Sequence, residues 1–327
     1  MRAIVMDEHG GPEVLHVEEL PDPVAGDGEV LIRVRAFGLN HADTYMRSGV
    51  WQFPIPVLGI EAAGAVEQDP SGALSPGTPV VAIVGGMART RNGSYAELVS
   101  VPASNVVPVT TALTWPELAA IPEVYATAWI ALHGNLVLET GESLLVRGAT
   151  SSVGQAAVSL AVDQGATVIA TTRDPRREPL LRERGAHEVL IDDGELAPRL
   201  RRSHPAGVDA VLDLVGNSVL RDSLRSVRAK GRVCQVGFLG GLEPVTDFNP
   251  LADLPSGVQL STFASAFVLG DDDFPTSEVP LQEIVDKAGR GVLAAKPARV
   301  FKFDQIVEAH RLMDSGGAGG KLVVEVS

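Results

Sequence analysis

The segment Ser143–Val158, SLLVRGATSSVGQAAV, predicts a strand, a tight turn and a helix in direct succession. The usual pattern G-x-G-x-x-G is incomplete here: Gly148 and Gly154 remain at the two ends of the turn, and small residues fill its middle. Such a turn lets a pyrophosphate approach the backbone N–H groups at the positive end of the helix. We therefore predict a dinucleotide-binding turn, with contacts from Thr150, Ser151, Ser152 and Val153.

Strands alternate with helices around this turn. From about residue 118 to residue 262 the pattern predicts a helix at Gln155–Gln164 and five strands, which are Ser143–Val146, Thr167–Thr171, Val189–Ile191, Ala210–Leu214 and Arg232–Val236. Such alternation is typical of a parallel, doubly wound sheet. We therefore predict an α/β fold with a Rossmann doubly wound domain at residues 119–267.

The sequence before this region is rich in short β-type runs separated by turn residues. Runs such as Val30–Val34, Ala62–Val66 and Val80–Val84 predict a small β-rich barrel. After Phe267 the pattern predicts elements that return to the barrel, which are a helix at Pro280–Ala288, a strand at Ala298–Phe303, a helix at Phe303–Asp314 and a strand at Leu322–Val326. We expect residues 1–118 and 268–327 to form this β-rich domain.

The composition restricts the partners of the chain. Its 327 residues include 27 basic and 41 acidic side chains, and the formal net charge of -14 would repel nucleic acid and anionic lipid. No apolar run reaches the roughly 18 residues that a membrane span needs, and Met1–Val5 is typical of a strand and not of a signal peptide. We expect a cytoplasmic protein without nucleic-acid or membrane partners. Cys234, the single cysteine, allows neither a disulfide within the chain nor a thiolate zinc site.

The end of the second predicted strand carries residues that discriminate between dinucleotides. There the sequence reads Thr171, Thr172, Arg173, Asp174, Pro175, Arg176 and Arg177. An acid at the strand end would bind the ribose hydroxyls of NAD, whereas threonines followed by arginines suit the 2′-phosphate of NADP. The alternative is that the arginines form a solvated helix face. We expect further cofactor contacts at Asn217, Gly237, Phe238 and Lys321.

Four blocks carry a family resemblance over essentially the whole chain. They are GLNHADTYMRSG at Gly38–Gly49, GIEAAG at Gly59–Gly64, GSYAE at Gly93–Glu97 and the turn at Gly148–Gly154. In this order the blocks resemble the zinc-free quinone oxidoreductase branch, the zeta-crystallin type, of the medium-chain dehydrogenase/reductase superfamily.

The resemblance implies an architecture and the absence of zinc. A GroES-like catalytic domain would be interrupted by the Rossmann domain, with the active site between them and a homodimer formed through an edge strand, here Gln259–Phe267. Zinc-dependent relatives carry a histidine in a Gly-His-Glu motif and an early cysteine ligand. This chain has Ile60 in place of that histidine and no cysteine in the Asn40 block. We therefore expect no metal site.

The resemblance also bears on the cofactor. Arg177 falls where bacterial members carry a phosphate-binding lysine, which favours NADPH. Asp192 stands where they have a tyrosine, and a carboxylate there would repel the phosphate. Gly316 likewise replaces an arginine that helps to hold it. NADPH is the predicted cofactor, with NADH left possible.

Four residues are predicted to serve the reaction. By resemblance, Asn40 lies at the nicotinamide and the substrate, Tyr45 lies nearby, and Thr127 lies close to the ring. The alternatives are a turn-forming asparagine, a core tyrosine and a helix threonine. Trp51 stands where the family usually has tyrosine, which favours a flat, conjugated acceptor held against an aromatic wall. A core tryptophan is an equal alternative.

Three functions are compatible with these residues. The first is an NADPH-dependent, zinc-independent oxidoreductase that transfers hydride to a quinone-type acceptor. The second is a reductase of activated C=C bonds in enones or enoyl thioesters, which present a similar electrophile. The third is a non-enzymatic NADPH-binding sensor, because binding without chemistry uses the same turn.

Overall fold

The computed structural model describes residues 1–326, which divide into two compact units. The first unit comprises Met1–Ala126, Ser265–Gly291 and the chain from Ala295 onward. The second comprises Thr127–Ala264 with Val292–Ala294.

The strands are numbered in chain order. They are β1 Arg2–Met6, β2 Leu15–Glu19, β3 Glu29–Gly38, β4 Glu61–Gln68, β5 Pro79–Ile83, β6 Leu98–Pro102, β7 Val106–Pro108, β8 Ser143–Arg147, β9 Thr167–Thr172, β10 Glu188–Ile191, β11 Val208–Asp213, β12 Val227–Gln235, β13 Gln259–Thr262, β14 Arg299–Lys302 and β15 Leu322–Glu325.

The α-helices are numbered in the same way. They are α1 His41–Ser48, α2 Trp115–Leu118, α3 Pro122–Ile130, α4 Ser152–Asp163, α5 Glu178–Glu183, α6 Ala197–Ser203, α7 Leu220–Ser226, α8 Pro250–Asp253, α9 Ser265–Val268, α10 Leu281–Gly289 and α11 Ile306–Asp314.

The first unit is built on a seven-stranded sheet. Its order is β14-β15-β3-β4-β5-β7, with β6 also paired to β3, and β1 and β2 form a separate antiparallel pair. Its apolar core includes Ile32, Phe37 and Tyr95, and the last two rings stack with centroids 4.5 Å apart. The long strand β3 ends at Gly38, immediately before α1, and so delivers the Asn40 block to the edge of this core.

The second unit is built on a parallel six-stranded sheet with the order β10-β9-β8-β11-β12-β13. Counted within the unit this is 3-2-1-4-5-6, the order of doubly wound dinucleotide-binding sheets. The carboxyl ends of β8, β9 and β11 therefore meet at one edge of the sheet. The predicted α/β class with a parallel doubly wound sheet is confirmed.

Several element boundaries differ from the prediction. Helix α4 begins at Ser152 and not at Gln155, because the Ser151 side chain caps it. Strand β12 begins five residues before the predicted Arg232, next to a shift in its register with β11. The predicted edge strand Gln259–Phe267 is a strand only to Thr262, and the helix α9 follows. Strand β13 is nevertheless the outermost strand of the parallel sheet.

The helix predicted at Phe303–Asp314 is an α-helix only from Ile306 and begins as a 3-10 turn. Across residues 1–326, every helix is too short or too polar to span a membrane.

Candidate functional site

The predicted dinucleotide turn joins β8 to α4. Gly148 has φ +80°, a left-handed conformation that glycine adopts without strain. Ser151 closes the turn, because its hydroxyl donates to the Gly148 carbonyl (2.9 Å) and accepts from the Gly154 N–H (3.1 Å). The hydroxyl of Ser151, one of the predicted cofactor contacts, therefore caps the helix.

The start of α4 has the features that a pyrophosphate requires. A Cβ at Gly154 would lie 2.6 Å from the Gly148 carbonyl oxygen, so only glycine lets the helix pack this closely on the turn. Within residues 1–326, the N–H groups of Ser152 and Val153 have no hydrogen-bond acceptor. They lie at the positive end of the helix, so these residues fit the phosphates of a dinucleotide.

A cleft of about 300 Å³ lies at the same edge of the sheet, and we call it the β8 cleft. Four of the predicted site residues line it, namely Thr150, Thr172, Arg173 and Asp192. The remaining lining residues are Gly148, Thr171, Asp193, Gly194, Val215, Ser218, Val219, Leu239 and Gly240.

Sequence reasoning missed the residue that organises this cleft, Arg147. Its side chain is fully buried at the end of β8. Nε and Nη2 donate to the two carboxylate oxygens of Asp192 at 2.7 and 2.9 Å, and Nη1 lies 2.8 Å from the Asp222 carboxylate. Nη2 also donates to the Gly194 carbonyl and Nη1 to the Ser223 hydroxyl, both at 3.1 Å. One guanidinium thus ties the loop after β10 to the first turn of α7.

The contact with Arg147 changes the interpretation of Asp192. Burial would raise the pKa of Asp192, but the hydrogen bonds and charge of Arg147 outweigh burial and hold that pKa below its ordinary value. The carboxylate therefore stays ionised, and the neighbouring guanidinium offsets its charge. The repulsion of a phosphate that we expected from Asp192 is correspondingly weaker. An arginine ending the apolar strand SLLVR was the available signal.

The three arginines after β9 have different environments. Arg173 is exposed and lines the cleft. Arg176 is held by Asp174 through hydrogen bonds of 2.8 to 3.1 Å. Arg177 precedes α5 and is not among the residues lining the cleft. Of the three, Arg173 is placed to meet a phosphate in the cleft.

The later loops place the other predicted cofactor residues near the carboxyl ends of β11 and β12. The Asn217 amide accepts from Gln235 Nε2 and donates to the Glu243 carbonyl, both at 2.9 Å. Gly237 packs against Leu214 so closely that a Cβ would lie 2.5 Å from its carbonyl oxygen. Phe238 follows directly and is half-buried. None of Asn217, Gly237 and Phe238 is among the residues lining the described cleft.

In the first unit, Asn40 belongs to a buried group of polar side chains that we call the Asn40 cluster: Asn40, Asp43, Glu61 and Lys321. Asn40 Nδ2 donates to Glu61 Oε1 at 2.9 Å, and Lys321 Nζ donates to Asn40 Oδ1 at 2.6 Å. Lys321 also forms an ion pair with Glu61. The Asn40 amide is therefore fixed between a buried cation and a buried anion, and within residues 1–326 its second N–H has no acceptor.

Sequence reasoning did not assign a role to Glu61, and it placed Lys321 only as a cofactor contact. Glu61 is fully buried at the start of β4, and its Oε2 accepts from the Glu123 N–H at the start of α3 (2.9 Å). A methyl group at Gly38 would overlap both Lys321 and the Glu61 carboxylate, so glycine makes room for the pair. The signals were a glutamate opening the apolar run EAAGAV and a lysine opening the apolar run KLVV.

Asp43, the remaining member of the Asn40 cluster, binds two backbone N–H groups. The Asp43 carboxylate accepts from the backbone N–H groups of Asn40 (2.8 Å) and Gly59 (3.2 Å). Burial, with a contribution from Glu61, raises the pKa of Asp43 to about 7, although both hydrogen bonds and Lys321 oppose the shift.

Arg47, His310 and Tyr95 form a further buried chain of hydrogen bonds. Arg47 Nη1 lies 3.1 Å from His310 Nδ1, and the Tyr95 hydroxyl lies 3.1 Å from His310 Nε2. Because Arg47 can only donate, His310 Nδ1 must accept, and the proton of the neutral ring lies on Nε2. Burial, and then the charge of Arg47, lower the pKa of His310 to about 3, so the ring stays neutral.

The predicted aromatic residues lie together in the first unit. Trp51 is half-buried, 5.0 Å from the Tyr45 ring and 4.7 Å from the Phe267 ring between centroids. Phe53 lies 6.4 Å from Phe267. We call Tyr45, Trp51, Phe53 and Phe267 the aromatic cluster. Trp51 thus lies among aromatic rings and also packs on the apolar core of its unit, so its role at the acceptor stays a prediction.

The remaining predictions concern Thr127 and a metal site. Thr127 lies buried within α3. Ile60 is fully buried among apolar side chains. Among residues 1–326, no three His, Cys, Asp or Glu side chains are arranged to hold a metal ion.

Comparison with known proteins assigns the family. Residues 26–111 match the alcohol dehydrogenase GroES-like domain, and residues 184–324 match the family described as zinc-binding dehydrogenase. Human quinone oxidoreductase is 29% identical over 336 residues, which cover 99% of this chain and 97% of that protein. The chain belongs to the medium-chain dehydrogenase/reductase superfamily.

Solved structures agree over the full length of this superfamily member. A structure titled as an NAD-dependent alcohol dehydrogenase has a TM-score of 0.86 at 29% identity and covers 100% of both chains. A mycobacterial protein solved with NADPH has a TM-score of 0.87 at 28% identity and covers 99% of this chain and 100% of that one. The chain fits the quinone oxidoreductase branch, the zeta-crystallin type, as its motif blocks predicted. The chain is therefore an oxidoreductase with a nicotinamide cofactor, and the non-enzymatic sensor is not the supported function.

Proposed function

We propose that this oxidoreductase uses NADPH to reduce a quinone-type acceptor and that it needs no zinc. The observation that carries the proposal is the Asn40 cluster. Where zinc-dependent relatives have a histidine ligand, this chain has buried Ile60, and the adjacent Glu61 binds Lys321 and Asn40 instead. A fixed amide beside a buried ammonium supplies donors of the kind that stabilise a developing negative charge on oxygen.

The first unit provides the groups that would handle the acceptor. The second N–H of Asn40 donates to an oxygen of the acceptor or to the nicotinamide amide. Trp51 and Phe267 offer aromatic faces to a flat, conjugated ring. Tyr45 of this unit, and Thr127, which belongs to the second unit, remain proposed neighbours of the reacting groups.

The second unit provides the groups that would hold the cofactor. The N–H groups of Ser152 and Val153 bind the pyrophosphate, and Thr150 and Thr172 line the ribose side of the β8 cleft. Arg173 binds the 2′-phosphate, which favours NADPH over NADH. Asn217, Gly237, Phe238 and Arg177 stay proposed as further contacts of this unit, and Lys321 of the first unit stays a proposed contact as well. When bound, the cofactor supplies the hydride, which is the chemistry that no side chain can provide.

The test is NADPH oxidation with a panel of acceptors and analysis of the products. We expect small quinones to be reduced to hydroquinones, and faster than enones or enoyl thioesters. Faster saturation of C=C bonds would favour the alternative function. Failure of every acceptor to accelerate NADPH oxidation would contradict both.

We further propose a homodimer that forms through β13. This strand is at the edge of the parallel sheet, so its outer backbone groups can pair with a second copy. Light scattering tests the assembly, and a proline at Leu260 should give monomers if β13 pairs across the dimer. A dimer unaffected by that substitution would place the interface elsewhere. A cytoplasmic location stays a prediction.

A further inference from the structure

The loop at residues 84–91, VGGMARTR, is held in an unusual conformation, and we call it the Arg89 loop. Val84 and Ala88 have φ angles of 55° and 59°, a left-handed conformation that residues with a Cβ adopt only at a cost. Val84, Met87 and Ala88 are buried, so the loop turns into the first unit. The N–H groups of Thr90 and Arg91 both bind the Gly86 carbonyl, at 2.9 and 3.2 Å. The strained, hydrogen-bonded backbone fixes the position of Arg89.

The Arg89 side chain lies against the aromatic cluster. Its guanidinium carbon is over the Phe267 ring, 5.4 Å from the centroid. Phe267 is the ring that contacts both Trp51 and Phe53. The guanidinium therefore borders the same aromatic wall that we propose for the acceptor.

Within residues 1–326 the Arg89 side chain has no counter-ion. It makes no hydrogen bond and no ion pair with these residues, and its Nε is buried without a partner. Two other arginines also bury an unpaired Nε, but Arg91 pairs with Glu29 and Arg232 pairs with Glu142, each at 2.5 Å. Asp271 is the acid whose charge acts on Arg89, and it lies beyond ion-pair distance. Burying part of a guanidinium without a hydrogen-bond acceptor costs desolvation free energy. Hydrogen bonds to a bound anion would offset that cost.

We propose that Arg89 and Phe267 bind an anionic substituent of the acceptor, so that the preferred substrates are flat conjugated carbonyl compounds bearing a carboxylate or a sulfonate. A guanidinium stacked on an aromatic ring keeps its planar fork of N–H donors for two oxygens of such a group. The ring of the same molecule then packs on Trp51. The proposal rests on the proposed function, because it places the acceptor at the aromatic cluster.

The first experiment compares a naphthoquinone with the same naphthoquinone carrying a sulfonate. Arg89→Met keeps an apolar contact with Phe267 but removes the charge. We expect it to raise KM for the sulfonated acceptor at least about tenfold, the effect of losing one charge-assisted hydrogen bond, and to change KM for the neutral acceptor less than about threefold. Arg91→Met is the matched control, because that arginine is in the same loop but is paired with Glu29, and it should not discriminate between the acceptors.

Arg89→Lys keeps the charge without the planar fork and should lie between wild type and Arg89→Met. If Arg89→Met has a strongly lowered Tm, the effect of Arg89→Lys on the two acceptors tests the anion site instead. Equal effects of the Arg89 substitutions on both acceptors would overturn the anion site while leaving quinone reduction intact. Reduction of neither acceptor by wild type would instead overturn the proposed function.

A binding measurement separates the two failures, because it needs no turnover. Trp51 lies in the aromatic cluster, so its fluorescence should change when a naphthalenesulfonate binds, and a Trp51→Phe variant subtracts the signal of Trp115 and Trp129. We expect wild type to bind the sulfonate at least about tenfold more tightly than an uncharged naphthalene, and Arg89→Met to lose that preference. Equal affinity of wild type for both probes would contradict the anion site, whatever the reductase activity.

Discussion

Each of the two units buries a cation beside carboxylates, but the two cations have different structural roles. In the first unit, Lys321 is a point charge that binds Glu61 and one oxygen of Asn40, so it fixes a single side chain. In the second, the five N–H groups of Arg147 reach groups on two separate segments, the loop after β10 and the start of α7. A lysine suffices to orient one polar group, whereas an arginine can join two walls of a cleft. We infer that the Asn40 cluster serves the chemical step and that Arg147 serves cofactor binding.

The largest expected effect is on stability, in Lys321→Met. This substitution leaves the fully buried Glu61 carboxylate without its counter-ion, so the free energy of unfolding should fall by about 3–5 kcal/mol. Urea unfolding measures the loss, and adding Glu61→Gln should restore a large part of it. Lys296→Met, at an exposed lysine, is the control. A loss below about 1 kcal/mol in Lys321→Met would show that the pair is not tightly coupled.

A pair of substitutions separates the role of Arg147 from that of the Asn40 cluster. Arg147→Lys cannot reach both walls of the β8 cleft, so Kd for NADPH should rise at least about tenfold. The rate of a single turnover at saturating NADPH should stay within about threefold of wild type, since the substitution leaves the Asn40 cluster in place. Cofactor titration and stopped-flow absorbance give the two values. If Kd for NADPH is unchanged and the single turnover at saturating NADPH is slower, Arg147 would instead serve the chemical step.

Asn40→Ala should show the opposite pattern. Removing a fixed donor at a developing oxyanion typically slows the reaction about 100-fold, and the single-turnover rate should fall by that order. The Kd for NADPH should change less than about threefold. Asn40→Asp provides the comparison, because it has the same shape but no N–H to donate. Normal rates in both variants would remove Asn40 from the chemistry.

A smaller effect is expected at the phosphate end of the cofactor. Arg173→Gln should lower the ratio of kcat/KM for NADPH to that for NADH about tenfold, mainly through KM for NADPH. Arg176→Gln is the matched control, because its guanidinium is already bound to Asp174. A larger effect of Arg177→Gln would show that the 2′-phosphate is bound by Arg177, which falls where bacterial family members carry a phosphate-binding lysine. It would not then be bound by Arg173.

The smallest effects are on the pH dependence of stability, and they have opposite signs. His310 has a pKa of about 3 in the folded protein, below its ordinary value of 6.5, so between these values only the unfolded chain binds the proton and stability falls as the pH falls. Asp43 has a pKa of about 7, above its ordinary value of 3.8, so in that window only the folded chain binds the proton and stability falls as the pH rises.

Between about pH 4 and 6.5 the contributions of His310 and Asp43 to stability have opposite pH dependence. Replacing one of the two residues should therefore leave the pH dependence that the other one causes. In His310→Gln, whose amide can replace both hydrogen bonds of the ring, stability should fall as the pH rises, by at most about 1.4 kcal/mol per pH unit. In Asp43→Asn, stability should rise with pH over the same range. Urea unfolding at several pH values checks both slopes. Parallel slopes in the two variants would show that these groups do not titrate as described.

The sequence predicted what depends on local pattern. The turn at Gly148–Gly154 and the alternation of strands and helices depend on residues that are close in sequence. The structure has both features where they were predicted. Motif blocks also led to Asn40 and Trp51. The start of α4 was placed three residues late, because the cap by Ser151 depends on a side-chain contact that apolar periodicity does not register.

Contacts between distant residues could not be predicted in this way. Arg147 and Asp192 are 45 residues apart, and Asn40 and Lys321 are 281 apart. A charged residue at the end of an apolar strand indicates burial, but it does not name its partner. For this reason Asp192 was interpreted as a free carboxylate that would repel a phosphate, although its charge is matched by Arg147.

Hydride transfer from NADPH without a metal ion is tested most directly by one single-turnover measurement. The protein is dialysed against a chelator, its metal content is determined, and NADPH oxidation is followed after mixing with a naphthoquinone. We predict an unchanged rate at less than about 0.05 zinc per chain, because Ile60 stands where zinc-dependent relatives have a histidine ligand and no three His, Cys, Asp or Glu side chains of residues 1–326 are arranged to hold a metal ion. Loss of the reaction on chelation and its return with zinc would contradict this mechanism.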